Sequence, residues 1–114
     1  MRFVRDGITL DELRTLAEER FGDMVKAVLD LQRGVMVVGA SMHADEEAAL
    51  LEDGSQQSSL WGINLYPAEF GNSDWLEFDS MINLRPFDDN RTRSVDDPAI
   101  RAQIIDLVDR LVVA

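Results

Sequence analysis

The chain lacks cysteine altogether and contains a single histidine and three prolines among its 114 residues. Without cysteine there is no disulfide, no thiolate nucleophile and no cysteine-ligated zinc. One histidine also excludes zinc sites that use two or three imidazoles. The N-terminus has no apolar signal core, and the longest apolar stretch, residues 34–42, is too short to span a bilayer. We therefore expect a soluble, cytoplasmic protein with no membrane partner.

Basic residues are also scarce in this chain. The 11 basic residues are outnumbered by 22 acidic ones, which gives a formal net charge of −11. A surface this acidic repels the phosphate backbone of nucleic acids unless its cations are gathered on one face, so no nucleic-acid partner is expected. The hydrophobic content of 46% is that of an ordinary folded domain. At this length we expect one domain over residues 1–114.

Three helices are predicted from capping signals and apolar periodicity. The first follows Thr9, whose side chain can cap the amide of Glu12 while the Glu12 side chain reaches back to Thr9. The second starts at Ala44 or Asp45, runs through Glu52 and carries acidic residues in its first turn, where the helix dipole favours them. The third can be capped by Asp96 or Asp97, has Pro98 at its first position and presents an apolar face to the end of the chain.

Four strands are predicted between these helices, and they give the order αββαββα. The strands are residues 24–31, 35–41, 60–66 and 75–84. The last of them alternates most clearly, with apolar Leu76, Phe78, Ile82 and Leu84 opposite polar Glu77, Asp79 and Asn83. This order predicts an α+β fold: a four-stranded, largely antiparallel sheet with helices packed mainly on one face. The other face of the sheet is expected to stay at least partly open.

Polar side chains share one face of the predicted sheet. They are Lys26 and Asp30 on the first strand, Asn64 on the third, and Glu77, Asp79 and Asn83 on the fourth. If the strands lie side by side, these groups converge on one patch. Carboxylate oxygens suit Mg²⁺ or Ca²⁺, so Glu77 and Asp79 are the candidate metal ligands. The alternative is that these side chains are simply the solvated face of an antiparallel sheet.

Two further groups are candidates for the rim of such a site. His43, the only histidine, could bind a ligand or act as a general base, although the acidic residues that follow it also suit a helix start. Arg85 stands close to Arg91 and Arg93 and could clamp an anion, although neighbouring aspartates offer internal partners. The ligand-binding candidates are therefore His43, Asn64, Asn83 and Arg85.

Three functions compete on this evidence, and whether the protein is an enzyme is left open. The first is a binding module for a divalent cation or a small polar ligand on the polar sheet face. The second is a protein-interaction or homodimerisation module, with the aromatic residues Trp61, Tyr66 and Phe70 as anchors. The third is a metal-dependent hydrolase of a small phosphate-type substrate, with His43 as the base.

Several segments also resemble a known protein family. They are FGDMVKAVLDL, HADEEAALLEDGSQQ, LWGINLYP, EFDSMINLRP and DDPAIR. Together they are similar to a family of short, conserved, uncharacterised bacterial and archaeal proteins, and the similarity covers nearly the whole chain. The resemblance implies a complete family member, and it implies no activity and no catalytic residue.

Overall fold

The computed structural model describes all of residues 1–114 and contains three α-helices and seven strands. In chain order they are β1 (Arg2–Val4), β2 (Ile8–Thr9), α1 (Leu10–Arg20), β3 (Val25–Asp30), β4 (Val35–Val38), α2 (His43–Glu52), β5 (Leu60–Leu65), β6 (Leu76–Glu77), α3 (Pro98–Leu111) and β7 (Val112–Val113).

Five of the strands form an antiparallel sheet in the order β1-β4-β3-β5-β6, and β2 pairs with β7 in a small parallel sheet. The α+β prediction is confirmed, whereas the four-strand count and the αββαββα order are wrong. The strands that the prediction omitted, β1, β2 and β7, are two or three residues long. A segment this short is held by its partner strand and shows no periodicity of its own.

The helix starts agree well with the capping signals. Thr9 accepts a hydrogen bond from the Glu12 amide at 3.1 Å, and Asp97 accepts one from the Ala99 amide at 2.8 Å. The reciprocal bond expected from the Glu12 side chain to Thr9 is replaced by an ion pair with Arg2 of β1. This contact ties the start of α1 to the edge of the sheet.

The five-stranded sheet is covered on both sides. We call the side to which Ala27 and Ile63 point the first face, and the side to which Val28 and Gly62 point the second face. A core of 20 buried residues fills the space between the first face and α1 and α3. On the second face, Leu50 of α2 packs in a smaller core with Val28. Two of the three helices, α1 and α3, therefore lie on one face, and α2 covers part of the other face.

The cause lies in the middle strands, whose residues are apolar on both faces. Val28, Val35 and Val37 point to the second face and are almost fully buried there. Strands with two apolar faces need cover on both sides. This second apolar surface draws α2 onto the face that was expected to stay open.

Residues 75–84 do not form the long strand that their alternation predicts. Only β6 pairs with β5, and the chain then bends onto the second face, where Met81–Asn83 form a 3₁₀ helix. A Cβ atom placed on Gly62 would lie 2.6 Å from Ser80, so Ser80 occupies the space that a side chain would need. The absence of a side chain at Gly62 thus allows the chain to cross the sheet instead of extending it.

Side chains replace the missing part of β6 along the edge of β5. Asn83 accepts a hydrogen bond from the Gly62 amide and donates one to the Gly62 carbonyl, both at 2.9 Å. Arg85 donates to the carbonyl oxygen of Leu60 at 2.5 Å. The same Asn83 amide donates to the Arg93 carbonyl at 3.0 Å. Buried backbone groups at this edge are therefore satisfied without a strand partner.

We expect Asn83→Ala to lower the free energy of unfolding by about 2–4 kcal/mol, because it leaves several buried backbone groups without partners. Urea unfolding measures this change. The matched control is Asn72→Ala, since the Asn72 side chain bonds an exposed carboxylate on the surface. Equal losses in the two variants would contradict the role given to the Asn83 amide.

Candidate functional site

Part of the predicted polar patch does converge on the second face. Lys26 on β3 is paired in register with Asn64 on β5, and Asn64 is paired with Glu77 on β6. The three side chains therefore lie side by side across three strands. Asp30, four residues along β3 from Lys26, does not join them: its carboxylate accepts the amides of Gln32 and Arg33 in the β3–β4 turn.

Glu77 is held within a hydrogen-bonded group on the sheet. Its Oε1 accepts a bond from Asn64 Nδ2 at 2.9 Å and another from the Tyr66 hydroxyl at 3.0 Å. Partial burial, with a further contribution from the Glu77 carboxylate, raises the pKa of Tyr66. Asn64 is buried, and its Oδ1 has no hydrogen-bond partner.

The two candidate metal ligands have separate partners. Asp79 accepts a hydrogen bond from Arg93 Nε at 2.7 Å, whereas Glu77 bonds Asn64 and Tyr66. No group of three or more histidine, aspartate or glutamate side chains is placed so that it could hold a metal ion. Glu77 and Asp79 thus offer two carboxylates at most, fewer than the protein oxygens of a typical Ca²⁺ site.

His43 is the first residue of α2, and its side chain is directed toward the sheet. Its Nε2 lies 2.8 Å from the Ile63 carbonyl oxygen, and the residue is only 8% exposed. Burial lowers the pKa of His43, the hydrogen bond with the Ile63 carbonyl raises it in part, and the charge of Lys26 lowers it further. Asp79 and Asn64 raise it by smaller amounts. The net effect favours a neutral imidazole near pH 7.

Asn83 and Arg85 lie away from this group. Asn83 is fully buried, and its amide is used by the backbone of β5 and by the loop that follows. The Arg85 guanidinium lies 3.9 Å from the centre of the Trp61 ring and donates to the carbonyls of Gln57 and Leu60. Burial lowers the pKa of Arg85. Both side chains close the edge of β5.

A cavity of about 280 Å³ opens between the start of α2 and the Ser80–Ile82 turn. It is lined by Lys26, Ser41, Met42, His43, Ala44, Ser80, Met81, Ile82 and Arg93. Lys26 and Arg93 are its charged residues, and no carboxylate lines it. We call this cavity the cationic pocket. A larger cavity of about 450 Å³ lies on the other side of α2, where Arg20 faces Asp45 and Glu52.

Lys26 has no polar partner within the protein. The residue as a whole is partly buried, and its ammonium forms no hydrogen bond and no ion pair within the protein and lies 5.4 Å from the centre of the Phe21 ring. In a chain with twice as many acids as bases, such an unpaired cation stands out.

Glu46, an acidic residue of α2, is completely buried between that helix and the sheet. Its Oε2 accepts a hydrogen bond from the Ala40 amide at 3.0 Å, and its Oε1 has no partner. Burial raises the pKa of Glu46 to about 9. The side chain is therefore neutral near pH 7 and does not compensate the charge of Lys26.

Sequence reasoning placed Lys26 on the polar face and Arg93 in a cationic cluster, but it chose neither as a site residue. It also treated Glu46 as an ordinary acid in the first turn of a helix. Glu46 lies three residues after His43, so the two share a helix face, and that spacing was the available signal. Nothing in the sequence indicated Ser80, because its position depends on the bend over Gly62.

The fold and the pocket define a small α+β domain with a cationic recess set in an acidic surface. The chain belongs to the family described as "Protein of unknown function (DUF5674)", whose pattern it matches over residues 2–111. No curated protein and no solved structure matches the chain. None of its helices combines the length and apolar character needed to cross a membrane.

The burial of Glu46 predicts a specific dependence of stability on pH. Because its folded pKa of about 9 exceeds the ordinary glutamate value of 4.5, the folded state binds a proton that the unfolded state releases between these values. This contribution is complete below pH 4.5 and is lost as the pH rises toward 9, with a slope of up to about 1.4 kcal/mol per pH unit.

We expect Glu46→Gln to flatten this decline, as measured by urea unfolding at a series of pH values from 5 to 9. The control is Glu52→Gln on the exposed side of the same helix, which changes the net charge equally. An unchanged slope in the Glu46 variant would show that this carboxyl is ionised in the folded protein.

Proposed function

We propose that this domain binds a small anion, a carboxylate or a phosphate, in the cationic pocket. The observation that carries the proposal is Lys26, a partly buried residue of the pocket wall whose ammonium forms no hydrogen bond and no ion pair within the protein. A bound anion would supply the missing countercharge. The cavity volume of about 280 Å³ is slightly below the usual volume of pockets that bind drug-sized ligands, and this favours a smaller ligand.

Arg93 provides the second cation. Asp79 engages its Nε, and this contact orients the guanidinium while leaving its terminal nitrogens without a hydrogen-bond partner. Arginine binds carboxylates and phosphates through such forked nitrogens. The side chain is about half exposed, at 54%, so it can meet a ligand at the mouth of the pocket.

The start of α2 adds backbone donors to the same pocket. Met42 occupies the N-cap position and offers no side-chain oxygen, so the amides of His43 and Ala44 have no capping partner. All three residues line the pocket. Backbone amides at a helix N-terminus favour anions, in the same sense as Lys26 and Arg93.

The overall charge of the protein sharpens this argument. A net charge of −11 disfavours non-specific binding of anions at the surface. Any measurable anion affinity must therefore come from a local group of hydrogen-bond donors. The cationic pocket provides such a group in Lys26, Arg93 and the backbone amides at the start of α2.

The alternatives have weaker support. A divalent cation at Glu77 and Asp79, and with it a metal-dependent hydrolase, would have to share two carboxylates that each already accept hydrogen bonds from other side chains through one oxygen. An interaction module was expected to use Trp61 and Phe70, but Trp61 is buried under Arg85, and the Phe70 ring packs edge-on against Trp75.

We expect inorganic phosphate or a small carboxylate to raise the melting temperature of the wild-type protein at matched ionic strength. A ligand at 100 times its Kd adds about 2.7 kcal/mol, which corresponds to a rise on the order of ten degrees for this size of domain. Lys26→Met keeps the aliphatic stem and removes the charge, so the rise should disappear.

Arg110→Met is the charge-matched control, because Arg110 lies in the last turn of α3 outside the pocket and forms no ion pair. Its response to phosphate should equal that of the wild type. A rise that persists in the Lys26 variant, or no rise with any small anion, would contradict the proposal.

We also expect Mg²⁺ and Ca²⁺ to give no selective rise in melting temperature relative to EDTA at matched ionic strength. Matching matters because any added salt screens the repulsion within so acidic a chain. A large rise with one cation, lost in a Glu77→Gln/Asp79→Asn double variant, would instead favour the cation site.

A further inference from the structure

Much of the wall of the cationic pocket is apolar. Four of its nine lining residues are Met42, Ala44, Met81 and Ile82. Met42 occupies the N-cap position of α2, and Met81 begins the 3₁₀ helix on the other side of the cavity. Each of the two elements that enclose the pocket therefore contributes a methionine to it.

Both methionines are exposed although they line a cavity. Met42 is 53% exposed and Met81 is 62% exposed, and no other large exposed apolar side chain of the protein lines this pocket. Apolar surface that continues into a cavity is typical of a ligand-binding groove. Methionine suits such a surface because its flexible, polarisable side chain adapts to ligands of different shape.

The charged and apolar parts of the pocket belong to different layers of the fold. Lys26 projects from β3 of the sheet and is partly buried, whereas Met42 and Met81 belong to elements that lie on top of the sheet. The remainder of a ligand whose anionic group meets Lys26 therefore lies among exposed methionine side chains.

We infer that the cationic pocket binds amphipathic oxyanions, in which a carboxylate or phosphate head group carries a short apolar chain. This inference rests on the proposed anion-binding function and names the ligand class for the same site. The head group contacts Lys26 and Arg93, and the chain covers Met42 and Met81. The cavity volume of about 280 Å³ limits the chain to a short one.

Affinity should then rise with chain length, because each methylene group that leaves water contributes to binding. A fully buried methylene corresponds to about a fourfold gain in affinity. We expect about a twofold gain per methylene here, since an open rim covers only part of the chain. The four additional methylenes of hexanoate relative to acetate should therefore give about a tenfold gain or more.

The test compares two pairs of probes by calorimetry at matched ionic strength: acetate with hexanoate, and inorganic phosphate with hexyl phosphate. The longer member of each pair should bind about tenfold more tightly than the shorter one. The tighter of the two longer probes identifies the head group. Hexanamide has the chain without the charge and should bind about tenfold more weakly than hexanoate, because it loses the charge-assisted hydrogen bonds.

The double variant Met42→Gln/Met81→Gln keeps the length of both side chains and makes them polar. The gain from the longer chain should disappear in this variant, while acetate and phosphate bind as they do to the wild type. Phe87→Gln is the matched control, because Phe87 is a fully exposed apolar side chain outside the pocket. This control should retain the whole gain.

The five methionines allow an independent measurement, because their methyl groups give separate signals in a ¹³C NMR spectrum. Hexanoate should shift the signals of Met42 and Met81. The signals of Met1, which lines the other cavity, and of the buried Met36 should stay unchanged.

The outcomes separate the ligand class from the anion-binding function. Equal affinities within both pairs, a gain that persists in the double methionine variant, or hexanamide binding as tightly as hexanoate would overturn the ligand class. Anion binding itself stays supported if acetate or phosphate still binds and Lys26→Met abolishes that binding. Failure of all the anionic probes to bind would overturn both proposals.

Discussion

Gly62 lacks a side chain, and the second face of the sheet is organised around the close approach that this permits. Ser80 lies where a Cβ would otherwise be, so the chain turns over the sheet just after β6. The Asn83 amide then bonds the backbone of Gly62 on one side and the carbonyl of Arg93 on the other. The close approach at Gly62 of β5 thereby positions one wall of the cationic pocket and also Arg93, one of its two cations.

Burial beneath α2 sets the electrostatics of the same region. Glu46 is sequestered and neutral near pH 7, so the charge of Lys26 is left without compensation. His43 is held against the sheet by the Ile63 backbone carbonyl, at the wall of the pocket. The protein can thus have a small positive pocket despite its strong net negative charge. The cations next to the pocket dominate the electrostatic potential there, because the acidic groups elsewhere are farther away and screened by salt.

Much of the fold was readable from local signals. Thr9 and Asp97 begin helices where their capping patterns predict, and the hairpin around Gly34 follows from two apolar runs and a glycine with positive φ. The alternation in residues 75–84 was misleading because it records the apolar character of successive side chains and not whether a partner strand continues beside them. Phe78 packs on the first-face core, whereas Ile82 packs on the second.

The candidate site divides in the same way. From the sequence alone, one could tell that Lys26, Asn64 and Glu77 share a strand face, because alternation is a local property of the backbone. Only the tertiary structure decided that α2 covers that face, that Asn83 and Arg85 close the edge of β5, and that Lys26 meets His43 and Arg93. These contacts join residues far apart in the chain, and they depend on the space above Gly62 and on which surfaces remain to be buried once the sheet has formed.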